Sequence, residues 1–159
     1  MSALSNVSNP ALHHRIRKFE PGDAPRVARI AAQSPGAAQW SEPSIALLAG
    51  PTYNSWISLD AETATLSGFL IARELAPEAE ILNLAVAPEY RRTGTASALL
   101  AAALTELAHA RIERVYLEVR ASNHPAISFY NKHLFRQSGK RPAYYRDPTE
   151  DAILMQRIL

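Results

Sequence analysis

Hydrophobic and polar positions recur with two different periods along the chain, and together they predict a succession of strands and helices. Residues 114–119 alternate strictly, with Val115, Leu117 and Val119 apolar and polar residues between them, which is typical of a strand with one buried face. Residues 80–86 are nearly all apolar, as expected for a central strand that is covered on both faces. The other predicted strands span residues 15–19, 53–59, 66–73, 136–140 and 152–157.

Four helices are predicted between these strands, because apolar residues there recur every three to four positions beside capping residues. They span residues 23–33 with Asp23 as cap, 41–48 with Ser41 as cap, 94–110, and 123–134 with Asn123 or His124 as cap. A strand joined through a helix to the next strand implies parallel pairing of residues 80–86 with residues 114–119. We therefore expect an α/β fold in a single domain, a mixed sheet flanked by helices on both faces.

Length and composition set the domain organisation. A chain of 159 residues suffices for one domain, which we assign to residues 14–159, after a flexible tail over residues 1–13. Residues 1–12 contain neither Lys nor Arg and do not resemble a signal peptide. No apolar run is long enough to span a bilayer, and the chain has no cysteine. These observations predict a cytoplasmic protein that does not associate with membranes.

Charge and motif spacing exclude several classes of function. The formal net charge of +2 permits an anionic ligand, but the sequence shows no concentrated basic stripe, so no direct contact with nucleic acid is expected. The six glycines are too far apart for a dinucleotide-binding or P-loop motif. The five histidines lack ligand-like spacing, and no metal site is predicted.

One loop carries candidate chemistry, the segment Arg91-Arg92-Thr93-Gly94-Thr95-Ala96 between a predicted buried strand and the long helix. The first turn of a helix presents unpaired N–H groups and the positive end of the helix dipole, and it therefore binds anions. Gly94 and Ala96 leave room for a ligand to approach the backbone, so a pyrophosphate could bind there. The alternative is an ordinary turn with two solvated arginines, and the loop alone does not decide between them.

The chain from Ile81 onward resembles the GNAT superfamily of N-acetyltransferases. Arg91, Gly94 and Ala96 match the superfamily's coenzyme A loop, (Q/R)-x-x-G-x-(G/A), and residues 84–88 precede it as the superfamily's strand and bulge do. Further segments are similar to the bacterial ribosomal-protein-alanine N-acetyltransferases of the RimI type. These segments are Trp40-Ser41-Glu42, residues 116–123, residues 126–130, Tyr144-Tyr145 and residues 150–155. The sequence departs from that family at Pro142-Ala143, where a polar residue is usual, and this affects the expected acceptor groove.

The resemblance implies acetyl-CoA as cosubstrate and a set of residues that bind it. These residues are the backbone of Leu84, Ala85 and Val86, the loop residues Arg91, Arg92, Thr93, Gly94, Thr95 and Ala96, and Asn123. It also implies Glu118 as general base and Tyr130 as general acid. Each has a structural alternative, a surface ion pair with Arg120 for Glu118 and packing on Leu134 for Tyr130. Tyr144 and Tyr145 either line the acceptor groove or pack against the sheet.

The pKa of the acceptor amine narrows the choice of acceptor. An α-amine has a pKa of about 7.7–8.0 and a lysine amine one of about 10.4, so a solvated glutamate suits an N-terminal α-amine better. With the resemblance, this predicts direct acetyl transfer, in a ternary complex, to a protein N-terminus, the N-terminal alanine of a ribosomal protein. A monomer or weak dimer is expected. The alternatives are a GNAT enzyme that acetylates a small-molecule amine and a non-catalytic module that binds acetyl-CoA.

Overall fold

The computed structural model describes residues 13–159 and forms one seven-stranded mixed sheet. The strands are β1 (His14–Lys18), β2 (Tyr53–Asp60), β3 (Leu66–Leu75), β4 (Glu78–Val86), β5 (Arg114–Arg120), β6 (Arg136–Tyr145) and β7 (Glu150–Ile158). Their order is β1-β2-β3-β4-β5-β7-β6, and only the neighbours β4 and β5 are parallel. The predicted tail lies outside the described residues except for His13, whose carbonyl accepts a hydrogen bond from Ala61 N (3.1 Å).

Four helices cover the two faces of the sheet, as the sequence predicts. They are α1 (Ala24–Ala32), α2 (Glu42–Ala46), α3 (Thr95–His109) and α4 (His124–Lys132), and short 3₁₀ turns span Pro21–Asp23, Leu47–Ala49 and Pro88–Tyr90. Strand β3 is an interior strand whose side chains alternate between two cores, with Phe69 packed among residues of α1 and α2 and Leu70 packed among residues of α3 and α4. The fold is therefore the expected single-domain mixed sheet with helices on both faces.

Two of the predicted caps are confirmed. Ser41 Oγ accepts a hydrogen bond from Ser44 N (3.4 Å), and Asn123 Oδ1 accepts one from Ala126 N (3.2 Å) at the start of α4.

Asp23 is the N-cap residue of α1, as predicted, but its side chain makes no capping hydrogen bond to that helix. This carboxylate is 2% exposed and accepts a bidentate pair of bonds from Arg17 (2.8 and 2.9 Å), one from Arg26 (2.6 Å) and one from Glu20 N (2.9 Å). A buried charge needs compensating partners, and here two guanidinium groups supply them.

A β-bulge in β4 makes the sheet open beside β5. Ile71 of β3 is opposite Asn83, but the next residue of β3, Ala72, is opposite Ile81, so Leu82 is an extra residue. A bulge bends its strand and increases the local twist. The parallel pairing of β4 with β5 accordingly ends at Ile81 and Leu117. Beyond this pair the carboxyl ends of the two strands diverge, and their facing edges are unpaired.

Candidate active site

A cavity of about 730 Å³ opens between the diverging ends of β4 and β5. Its wall includes the loop that follows α1 and the first turns of α4. The predicted site residues that line it are Leu84, Ala85, Val86, Arg91, Glu118, Asn123, Tyr130 and Tyr145. The sheet opening therefore brings together the candidate base, the candidate acid and the predicted cofactor strand, which are far apart in the sequence.

The free edge of β4 offers backbone groups to the cavity in an alternating pattern. Ala87 N donates to Ser67 O (2.9 Å), and alternate residues of an antiparallel strand face the same neighbour. Ala85 therefore faces β3, and Leu84 and Val86 face the opening. In agreement, Arg91 Nε donates to Val86 O at 3.2 Å. Of the three predicted strand residues, Ala85 is the one whose own backbone groups are turned away from a ligand in the opening.

The loop before α3 has the geometry of an anion site. Gly94 is the N-cap residue with φ +89°, and Arg92 also has a positive φ of 59°. Among residues 13–159, no acceptor pairs with the amides of residues 92–97, whereas the next amide, Ala98 N, donates to Gly94 O (2.9 Å). Free amides at the positive end of a fifteen-residue helix suit a diphosphate.

The side chains of this loop hold its shape. Arg91 donates to Gln33 O (3.0 Å) at the end of α1 as well as to Val86 O. Thr95 is buried, and its Oγ1 lies 3.0 Å from Thr93 Oγ1 and 3.4 Å from His14 Nδ1. The other ring nitrogen of His14 lies 3.1 Å from Thr93 O. Sequence reasoning missed His14, because nothing local to β1 shows that it meets a loop 79 residues away.

Glu118 is the first residue of β5 beyond the last pair with β4. It lies on the face opposite Leu117, as the alternation predicts, and its side chain is 19% exposed. The ion pair with Arg120, which was the structural alternative for Glu118, is not formed. Arg141 Nε of β6 lies 3.0 Å from Glu118 Oε1, and Arg120 pairs with Glu150 (3.3 Å).

An irregular stretch of β6 carries the two tyrosines. Arg141 is opposite Ala152 and Tyr145 is opposite Glu150, so the three residues between them bulge against a single residue of β7. Ala143 lies in the bulge with φ +50°, and its amide donates to Asp151 Oδ1 (2.8 Å).

The bulge brings Tyr144 against the candidate base. Glu118 raises the pKa of the Tyr144 hydroxyl, first by accepting a hydrogen bond from it and then through its negative charge. Tyr145 is partly buried in the cavity wall, with the Arg120 guanidinium 4.3 Å from its ring centre. Burial raises the pKa of Tyr145, and the Glu118 charge adds to the shift.

Tyr130 is 8% exposed and reaches the cavity from α4. Its ring packs edge-on against Phe129 (5.2 Å between centres) and Phe135 (5.4 Å). The alternative of packing on Leu134 does not hold, because Leu134 is exposed. Burial raises the pKa of the Tyr130 hydroxyl.

The rim opposite β5 is formed by residues 34–39, which the sequence identifies only as a break after α1. Asn83 Nδ2 donates to Ala38 O (3.1 Å) and ties this loop to the bulged strand. Asn123 caps α4 on the other side, with its amide nitrogen 3.2 Å from where a Cβ on Gly36 would stand. A side chain at position 36 would therefore press on the cap residue that lines the cavity.

The sequence profile of the Acetyltransferase (GNAT) family matches residues 23–135. The chain belongs to this family. The [Ribosomal protein bS18]-alanine N-acetyltransferase of Escherichia coli (strain K12) is 34% identical over 142 residues, which cover 88% of this chain and 94% of that protein. The predicted enzyme class, an N-acetyltransferase, is thereby confirmed.

Solved structures agree with this assignment. The crystal structure of the ribosomal-protein-S18-alanine N-acetyltransferase from Escherichia coli has a TM-score of 0.83 at 33% identity, covering 91% of this chain and 93% of that one. Arabidopsis thaliana NAA60 in complex with acetyl-CoA has a TM-score of 0.80 at 22% identity, covering 92% and 98%, and shares the fold.

Two further findings concern the described part of this acetyltransferase. Residues 13–159 contain no group of three or more His, Cys, Asp or Glu side chains arranged to hold a metal ion. In the same range, every helix is too short or too polar to cross a membrane.

Proposed function

We propose that this enzyme transfers the acetyl group of acetyl-CoA to the N-terminal α-amine of a protein, the N-terminal alanine of a ribosomal protein. The observation that carries the proposal is one cavity lined by a carboxylate, Glu118, and a protonated phenol, Tyr130, beside an unpaired strand edge. The similarity over most of the chain to enzymes named for alanine acetylation of a ribosomal protein supports the choice of acceptor.

The described residues fit acetyl-CoA as cosubstrate. The backbone groups of Leu84 and the N–H of Val86 face the opening and suit an amide-containing arm such as pantetheine, and the amides of residues 92–97 suit the diphosphate of the cosubstrate. Asn123 caps α4 and lines the cavity where that arm would run. When bound, acetyl-CoA supplies the thioester whose carbonyl carbon accepts the amine.

In the proposed reaction, Glu118 and Tyr130 carry out the two proton transfers. Glu118 accepts the proton that the acceptor amine must lose, directly or through a water. The Val86 N–H faces the opening and stabilises the charge that develops on the carbonyl oxygen. Tyr130 stays protonated at neutral pH, because burial raises its pKa, and it donates its proton to the departing sulfur. One C–N bond forms and one C–S bond breaks, and the two proton transfers balance the reaction.

A second cavity, of about 290 Å³, also reaches Glu118. Its wall contains Tyr116, Glu118, Arg141 and Leu154, together with Leu75 and Glu78 at the β3–β4 turn. Leu117 and Glu118 line both cavities. A polypeptide N-terminus that enters here would meet the candidate base at a residue that the cofactor cavity also reaches, which supports a direct transfer.

The test is mass spectrometry of acetylation with three acceptors: an Ala-initiated peptide of a ribosomal protein, the same peptide with its α-amine blocked, and a free polyamine. We expect one added acetyl group on the α-nitrogen of the first peptide and none on the blocked peptide. Faster turnover of the polyamine would overturn the proposal and leave the small-molecule alternative. Binding of acetyl-CoA without transfer to any acceptor would favour the non-catalytic module.

The role of Glu118 is tested by a pH–rate profile of Glu118→Gln on the Ala-initiated peptide. The affinity of Glu118→Gln for acetyl-CoA should equal that of the wild type. Its loss of turnover relative to the wild type should become smaller as pH rises, because more of the α-amine is then deprotonated without a base. A loss of equal size at every pH would remove Glu118 as base. Action in the cytoplasm, as a monomer or weak dimer and without direct contact to nucleic acid, stays a prediction.

A further inference from the structure

A cation of the protein itself lies beside the candidate base. Arg141 Nε is 3.0 Å from Glu118 Oε1, and both side chains line the second cavity. Arg141 is 55% exposed and Glu118 only 19%, so the guanidinium lies on the solvent side of the carboxylate. An amine that approaches Glu118 through this cavity comes to a carboxylate that already holds a cation.

The groups around the Arg141 guanidinium can also bind other cations. Glu118 supplies the negative charge, and the Arg141 guanidinium lies 5.4 Å from the centre of the Tyr144 ring. Carboxylates and aromatic faces are the groups that recognise ammonium as well as guanidinium ions. Glu118 and Tyr144 thus form a site that a protonated α-amine can enter only when Arg141 leaves.

Neighbouring cations have carboxylate partners of their own. Arg120 pairs with Glu150 (3.3 Å), and Lys140 pairs with Asp151 (2.7 Å). Within the described residues, Glu118 is the one carboxylate that pairs with Arg141. Arg141 is also the last regular residue of β6 before the three-residue bulge, where Pro142 offers no N–H to the ladder. Its side chain can therefore turn to solvent without breaking a second ion pair.

We propose that Arg141 is a positioning residue that occupies the ammonium subsite of the acceptor and is displaced by the incoming α-amine. The inference rests on the proposed function, since it names the residue that competes for the acceptor's place. An acceptor without a positive amine gains nothing by displacing Arg141. The guanidinium thus competes with acceptors that carry a positive amine, and not with acceptors that lack one.

The experiment is calorimetry on enzyme saturated with coenzyme A, at about pH 6.5, where an α-amine with a pKa of about 7.7–8.0 is protonated. The probes are an Ala-initiated peptide and its desamino analogue, which lacks only the ammonium group. The variants are Arg141→Gln, which removes the cation, and Arg141→Lys, which keeps it. Lys140→Gln is the matched control, because it removes the adjacent cation, whose partner is Asp151.

Arg141→Gln should bind the amine peptide about two- to fivefold more tightly, a modest factor because exposed ion pairs contribute little. Its affinity for the desamino peptide should not change, and the other two variants should match the wild type. In kinetics, the KM for the peptide should fall while the KM for acetyl-CoA stays constant.

Equal shifts for both peptides, or weaker binding of the amine peptide to Arg141→Gln, would overturn the role of Arg141. The proposed function fails separately, if the wild-type enzyme neither binds nor acetylates the Ala-initiated peptide.

Discussion

Gly68 is the position where the contact between strand and helix behind the cofactor loop can be tested most directly. It lies in β3 opposite Val86, beside the first turn of α3. A Cβ added there would stand 2.9 Å from Ala85 O, 3.1 Å from Thr95 Cγ2 and 3.2 Å from Leu99 Cδ1. The first of these atoms belongs to the backbone of β4, and the other two belong to buried residues of α3. None of them can rotate away freely, so β4 or α3 must shift.

The size of the effect follows from two opposing contributions. Replacing glycine by alanine lowers the entropy of the unfolded chain and stabilises the fold by about 0.4–1 kcal/mol. Overpacking at a site that cannot yield costs about 1–3 kcal/mol. We expect Gly68→Ala to lower the free energy of unfolding by about 1–2 kcal/mol, which for a chain of this length lowers Tm by about 2–8 °C. Because Thr95 follows the helix cap, acetyl-CoA should also bind more weakly.

Gly139→Ala is the matched control, since it is the same change in a strand with no tight contact. Its added Cβ would meet only Leu154, at 3.9 Å. Thermal unfolding should show this variant as stable as the wild type or more stable by up to about 1 kcal/mol, and calorimetry should show unchanged affinity for acetyl-CoA. If Gly68→Ala behaves like Gly139→Ala in both measurements, α3 is not held against β4 as tightly as the distances require.

Three further changes test the site and its support. Tyr130→Phe keeps the ring packing and should unfold like the wild type but turn over about 10²-fold more slowly, the usual contribution of a positioned acid; wild-type turnover would leave Tyr130 a packing residue. Gly94→Glu should weaken acetyl-CoA binding in calorimetry, because φ is +89° and a carboxylate would face the diphosphate; unchanged affinity would place the diphosphate elsewhere. Burial works to raise the pKa of Asp23, but hydrogen bonds and the charges of Arg17 and Arg26 outweigh it, and the net pKa is lowered. Asp23→Asn should therefore unfold more easily than the wild type near pH 7, with the difference shrinking as pH falls below about 4 and the wild-type carboxylate protonates; a difference independent of pH in denaturant unfolding would contradict this.

The elements of the fold could be predicted because most strands carry a local pattern. In β5 the alternation of Val115, Leu117 and Val119 indicates which face Glu118 lies on, and the structure agrees. Strand β6 shows the limit of such reasoning. Its predicted end at residue 140 is too early, because pairing with β7 resumes at Tyr145 after a bulge. Pro142 argues against a strand locally, because proline has no N–H to donate to the ladder. Inside a bulge no ladder hydrogen bond is needed at that position, so proline is tolerated there.

The site was less predictable, since its decisive contacts join residues that are distant in sequence. The partner of Glu118 is Arg141, on a strand that pairs with β7 rather than with β5. The cofactor loop is braced by His14 from the first strand of the sheet. Neither contact follows from spacing or periodicity, because both depend on the order in which the strands assemble.

The bulge at Leu82 determines how β4 can act, although an apolar run such as residues 80–86 gives no sign of it. Before the bulge Ile81 faces the core of α3 and α4, and after it Ala85 faces the opposite core. In a regular strand of this sequence, Ala85 would fall on the same face as Ile81, since side chains alternate with a period of two. A regular strand could also continue its pairing with β5. The backbone groups of Leu84 and Val86 would then be hydrogen-bonded to β5 and closed to a ligand. The same irregularity thus separates the strands, frees the N–H that meets the acetyl carbonyl in the proposed reaction, and leaves Glu118 at the mouth of the opening.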